Sequence, residues 1–408
     1  MEESLTEKLA THLTRPVDEE TRQRGRLHLL DWLGCVAGAL STDSGKRNAG
    51  DHEHATSWLG NILEMDDIHR TSILHPGPVI WPAVEIKFPS MDKLLDAAIR
   101  GYEAIISIGT TFDSQHYSFF HNTATAGVFG SAVVCLPMIE PTKDDYANVL
   151  GLVGSVAGGL WQLRHEQSDA KQWHIAHAFR TGWAASLAVA NGNSGPRFIL
   201  EGPQGLYAAT CRNPKPMSLA NHWRIHEVSF KPWGACRHAH PAIDAALQLK
   251  EKLGKLDGDV RVETYADAIT FCDCPTPKTV VDAKFSIQHC VAIVAERGAP
   301  QLADFEPDAI AALADTRSRI NVSQTPDIVV RYPEHYGARV TCGGASVELV
   351  DTLGDPERPL SRDGIVAKAK MLIAWGGLPE VEADRAIDLA LNGDDPAAVH
   401  KMLKGWLS

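Results

Sequence analysis

The residue types in this 408-residue chain that could move protons or hold an anion gather in a few short stretches. The first is Glu64-Met65-Asp66-Asp67-Ile68-His69, followed by His75-Pro76-Gly77. Acids beside a histidine can share out general acid and base work, and they can equally serve only to cap a helix end. The second is His121, placed after Phe119-Phe120 and before Asn122-Thr123 at an expected helix start. A helix N-terminus disfavours the imidazolium, which suits a general base, while a half-buried histidine bonded to a backbone carbonyl is the plainer alternative. The third, Asp169-Ala170-Lys171-Gln172-Trp173-His174, puts an ammonium at the opening of a long apolar helix, where it could hold a carboxylate or simply meet solvent. The fourth, Lys231-Pro232-Trp233-Gly234-Ala235-Cys236-Arg237-His238-Ala239-His240-Pro241, collects cations and imidazoles. His238 and His240 could form a metal pair on a strand, but Pro241 opens what reads as a helix. Cys272-Asp273-Cys274 has the wrong spacing for a zinc knuckle.

The elements that must position these groups are mostly helices. Asp18 is a plausible N-cap for a helix over 18–40, with Leu27, Leu30, Leu33 and Ala37 on one face. A short helix carries Trp58, Leu59, Ile62 and Leu63, and Ser90 caps one that runs past Tyr102 to Ile106. Residues 123–138 are rich in Ala and Gly, which predicts close packing of one helix on others. Thr142 with Asp145 resembles a capping box for a helix reaching Leu163, and another spans 173–191. Beyond Pro232-Trp233-Gly234 the pattern changes. After a helix over 240–253, alternating segments at 260–264, 327–331, 338–341 and 345–350 predict strands, and helix returns from Ser361. The expected fold class is mostly α with a smaller α+β domain: a helical domain over 1–234, a mixed domain over 235–350 and helix again over 351–408. A cleft between two such domains is a usual ligand site.

Composition closes off several classes. With 39 Lys+Arg against 51 Asp+Glu the net charge is −12, and no basic block offers a nucleic-acid surface. No stretch is long and apolar enough to predict a membrane span, and no secretory signal opens the chain. Eight cysteines scattered in apolar contexts predict free thiols in a reducing compartment, the cytoplasm. Glycine-rich phosphate loops, a Gly-X-Ser-X-Gly elbow and a His-Glu-X-X-His helix are all missing, so nucleotide and serine-hydrolase chemistry lose support.

Taken in order, Met65-Asp66-Asp67-Ile68-His69, His75-Pro76-Gly77, Gly101-Tyr102-Glu103, His121 through Gly130, Lys171 with His174, Leu200 through Gly205, Lys231-Pro232 with Cys236 through Asp244, and Ala283-Lys284-Phe285-Ser286 form a series that resembles the 2-methylcitrate dehydratase (MmgE/PrpD) family. The resemblance extends over nearly the whole chain, through Gly354-Asp355-Pro356 and Pro359-Leu360-Ser361. It implies a large helical domain built from both chain ends, an inserted α+β lid, a homodimer, and a pocket between the domains that needs neither metal nor cofactor. The pocket groups it implies are Asp66, His75, His121, Lys171 and His240 as catalytic residues, with Arg237, Lys284, His289 and His69 binding substrate. In two places the chain departs from the family. The connection ahead of Trp58 is short, and Ser286-Ile287-Gln288-His289 stands where members often carry an aromatic hydroxyl.

The reactions of that family share the formation or collapse of negative charge on a carbon beside a carboxylate. Without a metal, this calls for a base poised near neutrality and fixed cations. The expected activity is a cofactor-independent hydro-lyase acting on a small di- or tricarboxylic acid of the 2-methylcitrate type. In it His121 is the base, His240 or His75 the acid, Lys171 and Arg237 the carboxylate anchors, and Asp66 the orienter of a histidine. Epimerisation or decarboxylation of a related acid is the nearest rival. A metal-dependent hydrolase built on His238 and His240, or a non-catalytic dimeric scaffold, are the readings from other classes.

Overall fold

A computed structural model describes residues 3–50, 55–138, 140–166 and 168–408. In chain order its longer helices are α1 (Leu5–Leu13), α2 (Glu19–Ala39), α3 (Met91–Gly109), α4 (Asn122–Cys135), α5 (Lys143–Gly154), α6 (Ala170–Ala190), α7 (His240–Leu253), α8 (Ile287–Arg297), α9 (Arg362–Trp375), α10 (Glu380–Leu391) and α11 (Pro396–Leu407). Strands β1 (Val260–Thr264), β2 (Ile320–Gln324), β3 (Ala338–Cys342) and β4 (Ala345–Leu349) make one sheet. The chain divides into two compact units. The first holds residues 1–62, 66–228 and 361–408, and the second holds 63–65 with 229–360. The chain is therefore mostly α with a small α+β part. No described helix is long and apolar enough to cross a membrane, and all eight cysteines are free thiols.

The helical unit is built around α4, every residue of which is buried. It packs against α3 and α6, and the small residues predicted to allow this do so at identifiable atoms. A Cβ on Gly130 would lie 3.0 Å from the Gly101 carbonyl oxygen, and one on Gly182 would lie 2.4 Å from the Ala132 amide nitrogen. Such approach lets hydroxyls bond across helices, as Ser131 Oγ does to Ala178 O at 2.8 Å and Ser186 Oγ to Ala132 O at 2.9 Å. The caps fall where the sequence puts them. Asp18 accepts from the Thr21 amide, Ser90 from Lys93, and Thr142 and Asp145 form a reciprocal box. At the other end of the chain α9 packs on α2, and Lys368 Nζ lies 2.6 Å from Asp31 Oδ1 with both side chains buried.

In the mixed unit β1 pairs in parallel with β2 and antiparallel with β3, and β3–β4 is a hairpin turned by Gly343-Gly344, both in the left-handed region. Helices α7 and α8 pack together and cover this sheet over a core that includes Ile243, Leu249, Val262, Val291, Phe305 and Val340.

Three expectations about elements need correction, the first being the short helix at Trp58, which spans Ala55–Leu59 and ends before Ile62 and Leu63. The segment 327–331 is not a strand: Pro326 starts a short helix, Pro326–Val329, because its ring fixes a helical φ at the first position. The second strand is instead the half-exposed Ile320–Gln324, whose polar residues hide the alternation. The helix begun at Thr142 ends at Gly154 rather than Leu163. Gly159 adopts φ 105°, and a Cβ there would sit 2.4 Å from that of Ala124.

The Asp31–Lys368 pair ties the last part of the helical unit to the first. Burial already pushes the Asp31 carboxyl up to about 6, even with the ammonium beside it. Lys368→Met leaves that carboxylate alone, so urea unfolding of the variant should show a loss of about 3 kcal/mol. The double variant Asp31→Leu/Lys368→Met should regain most of it, and equal losses in the single and double variants would remove the pair from this role.

Candidate functional site

In the helical unit the end of α4 organises the groups. His121 is its N-cap residue, and its side chain makes no capping bond. Its backbone amide donates to Gly159 O at 2.8 Å, and Thr125 Oγ1 donates to Gly158 O at 2.9 Å. These two bonds hold the turn that follows α5 over the histidine. Trp161 from that turn lies on the His121 ring with centroids 4.4 Å apart, and the Arg164 guanidinium covers the Trp161 ring at 4.2 Å. His121 Nδ1 is 3.3 Å from Nδ1 of His174, which stands one turn into α6 on the same face as Lys171. Nε2 of His121 has no hydrogen-bond partner among the described residues.

Beside it is a second oriented imidazole. Leu74 closes a tight turn with His69, in which Ile73 takes a left-handed φ of 50°. A β-branched residue there is strained, and the turn delivers His75 directly after it. The His75 amide donates to Thr123 Oγ1 at 3.1 Å, in the first turn of α4. His75 Nδ1 faces Asp66 Oδ2 at 2.8 Å, and the same oxygen accepts from Asn61 Nδ2 at 2.7 Å. Behind them Asp67 accepts from the Gly77 amide, from Tyr102 Oη and from His28 Nδ1, with Trp81 Nε1 donating on to Tyr102 Oη. Asp67 and Tyr102 thus belong to one buried hydrogen-bond network. Burial is the main cause that holds the His121 imidazole well below its ordinary value, and the charges of Lys171, His174, His75 and Arg164 push the same way. The bias toward the neutral form expected from the helix N-terminus is therefore present, but desolvation and neighbouring cations supply it.

The mixed unit has its own buried cations. Arg237 Nη2 donates to Asp355 Oδ1, which also accepts from Ser229 Oγ at 2.7 Å, and Arg237 Nη1 donates to His240 Nδ1 at 3.2 Å. His240 Nε2 donates to Ala235 O at 3.1 Å. Lys284 Nζ donates to Leu63 O at 2.9 Å and Lys231 Nζ to Glu64 O at 3.2 Å. Together they grip a segment in which Glu64 takes φ 57°. His289 donates from Nε2 to Asp304 O at 2.9 Å and accepts at Nδ1 from Arg317 Nη1 at 3.1 Å. Its burial, aided by the Arg317 charge, holds it at about 4.

Residues 53–218 match the model of the MmgE/PrpD N-terminal domain, and residues 233–394 match that of the MmgE/PrpD C-terminal domain. The chain belongs to the MmgE/PrpD family. No curated protein matches it. Of the pocket residues implied for an MmgE/PrpD member, Asp66, His75, His121 and Lys171 gather in the helical unit at the head of α4.

Others are already committed. His69 is buried with Nδ1 bonded to Ser72 Oγ and Nε2 to Glu227, so it has no nitrogen left for a ligand. The same is true of His289 and of His240, whose nitrogens are both taken and whose Nδ1 accepts from a guanidinium. The His240 Nε2–H therefore points to a backbone carbonyl. Arg237 is paired with Asp355 through Nη2 and with His240 through Nη1. The pairing of His238 with His240 on a metal is also corrected. His238 bonds to Tyr265 Oη at 2.8 Å between the rings of Phe271 and Tyr336, and His240 meets a cation. The residues that sequence reasoning left out of the site are His174, Trp161, Arg164 and Asn61. Only His174 left a trace, three residues beyond Lys171.

If Arg237 is a brace, Arg237→Ala strands a buried carboxylate. Its urea unfolding free energy should fall by about 3 kcal/mol. Unchanged stability together with a raised KM for acids would return Arg237 to substrate binding.

Proposed function

We propose that this MmgE/PrpD member is a cofactor-independent hydro-lyase that removes water from a small di- or tricarboxylic acid of the 2-methylcitrate type. The family includes dehydratases and decarboxylases, which supports a lyase-type activity or a related one. The observation that carries the finer reading is the pair of imidazoles at the head of α4, each with Nε2 unbonded among the described residues and each with a different group facing Nδ1. Asp66 faces Nδ1 of His75, whereas His121 lies among cations and is held neutral. An imidazole held neutral next to one set against a carboxylate offers a base with a candidate acid beside it.

In this reading His121 Nε2 takes the proton from the carbon beside a substrate carboxylate. The electron pair left on that carbon is drawn toward the carboxylate, whose growing charge the Lys171 ammonium offsets. As the carbon–carbon double bond forms, the carbon–oxygen bond to the hydroxyl breaks, and His75 Nε2–H gives its proton to the departing oxygen, which leaves as water. Asp66 holds His75 in register for this transfer. A second copy of the chain is the proposed partner, and a homodimer would cover the large apolar side chains exposed at Phe119, Val156, Leu160, Trp173, Leu187 and Phe198.

The test is a panel of di- and tricarboxylates incubated with the protein in heavy water and followed by NMR. Loss of water to an unsaturated acid is expected. Solvent deuterium entering the substrate without elimination would favour epimerisation, and CO2 release would favour decarboxylation. His121→Ala and Lys171→Ala should lower turnover by at least about 100-fold with little change in melting temperature. Residual turnover in an unstable protein would return these residues to structural roles.

The pH profile carries a second check. A base works only when unprotonated, and the fold keeps His121 unprotonated below the usual imidazole value of about 6.5. The acid limb of kcat/KM should therefore lie below pH 6.5. A limb at or above pH 7 would exclude His121 as the base.

A further inference from the structure

We propose that His174 is the positioning residue of His121: its Nδ1 accepts the His121 Nδ1 proton and so fixes the tautomer that leaves Nε2 of His121 unprotonated. The inference rests on the reading of His121 as the base. Two imidazole nitrogens 3.3 Å apart can share only one proton without repulsion, so one ring donates and the other accepts. If His174 donated, the neutral His121 ring would carry its proton on Nε2 and could take none from carbon. If His121 donates, Nε2 has a free lone pair, and the new imidazolium keeps a charge-assisted bond to His174 once the proton arrives.

The surroundings favour the second arrangement. His174 lies at the partly buried start of α6 and has no other bonded nitrogen among the described residues, so its own Nε2–H can be met by solvent. The groups that face His121 are Lys171 and His174 from α6, His75 from the turn before the short helix Gly77–Ile80, and Arg164 from the turn after α5. His174 in turn faces His177. A carboxylate in place of His174 would draw a positive charge onto His121. A neutral ring holds the geometry without doing so. The helical spacing of Lys171 and His174 places the carboxylate anchor and the orienter on one face of one turn, so a single element sets both.

The experiment uses full-length protein labelled with 15N-histidine, without substrate, at a pH where imidazoles are neutral. The His121 signals are identified by their loss in His121→Gln. The expected pattern is a proton on Nδ1 and a bare Nε2 in the wild type, kept in His174→Asn, whose Oδ1 can accept in the same place, and lost in His174→Leu. A proton on Nε2 in the wild type, or the same pattern in wild type and His174→Leu, would overturn the proposal.

Because this readout needs no turnover, it stands apart from the proposed reaction. Failure of every acid in the panel would leave the tautomer question answered. Where turnover is found, His174→Leu should lower kcat about 10- to 100-fold with KM changed less than about 2-fold, and His174→Asn should restore most of it. Equal kcat in the wild type and His174→Leu, at matched melting temperature, would also overturn it.

Discussion

An imidazole buried beside an ammonium and a guanidinium can remain there only as the neutral ring, because protonating it would add a third charge where water cannot screen it. The head of α4 is arranged around that constraint. His121 is buried by Trp161, approached by Lys171 and Arg164, and joined to a second neutral ring instead of to an acid. The acids of this region are one layer back, where Asp66 serves His75 and Asp67 serves Tyr102, His28 and the Gly77 amide. Carboxylates are thus kept off one imidazole and set against the other.

The rest of the helical unit supplies the rigidity this needs. A proton carrier misplaced by an ångström loses much of its value. His121 is held by its own backbone bond to Gly159, by the buried helix it begins and by the tilted Trp161 ring against it. The strained turn at Ile73 sets His75 against the same helix end. Strain of this kind persists only where surrounding contacts overdetermine it, as the Leu74–His69 bonds and the half-buried His69–Glu227 pair do here.

Much of this was legible in the sequence because it is local. Asp18, Ser90 and Thr142 read as caps from their immediate neighbours, the Ala and Gly of α4 read as close packing, and His121 read as a helix start beside aromatic residues. What was not legible is commitment. Residue type shows what a side chain can do, but its partner is set by the fold: Arg237 meets Asp355 118 residues on, His69 meets Glu227 158 residues on, and His289 meets Arg317 28 residues on. For the same reason the guanidinium on one nitrogen of His240 and the carbonyl on the other left no sign in the sequence. The truncated α5 was missed because the bonds that fix Gly158 and Gly159 come from α4, far from the residues that would have continued the helix.

The total enclosure of α4 also decides where diversity can enter. With Gly127, Gly130 and Ala132 pressed against neighbouring backbones and side chains, no face of that helix can take a larger residue without moving another. Trp161 and Arg164 are on a turn that meets solvent, within reach of the same histidine and under no such restriction. Side chains on that turn can be exchanged, and the surroundings of His121 altered, while the helix beneath stays as it is.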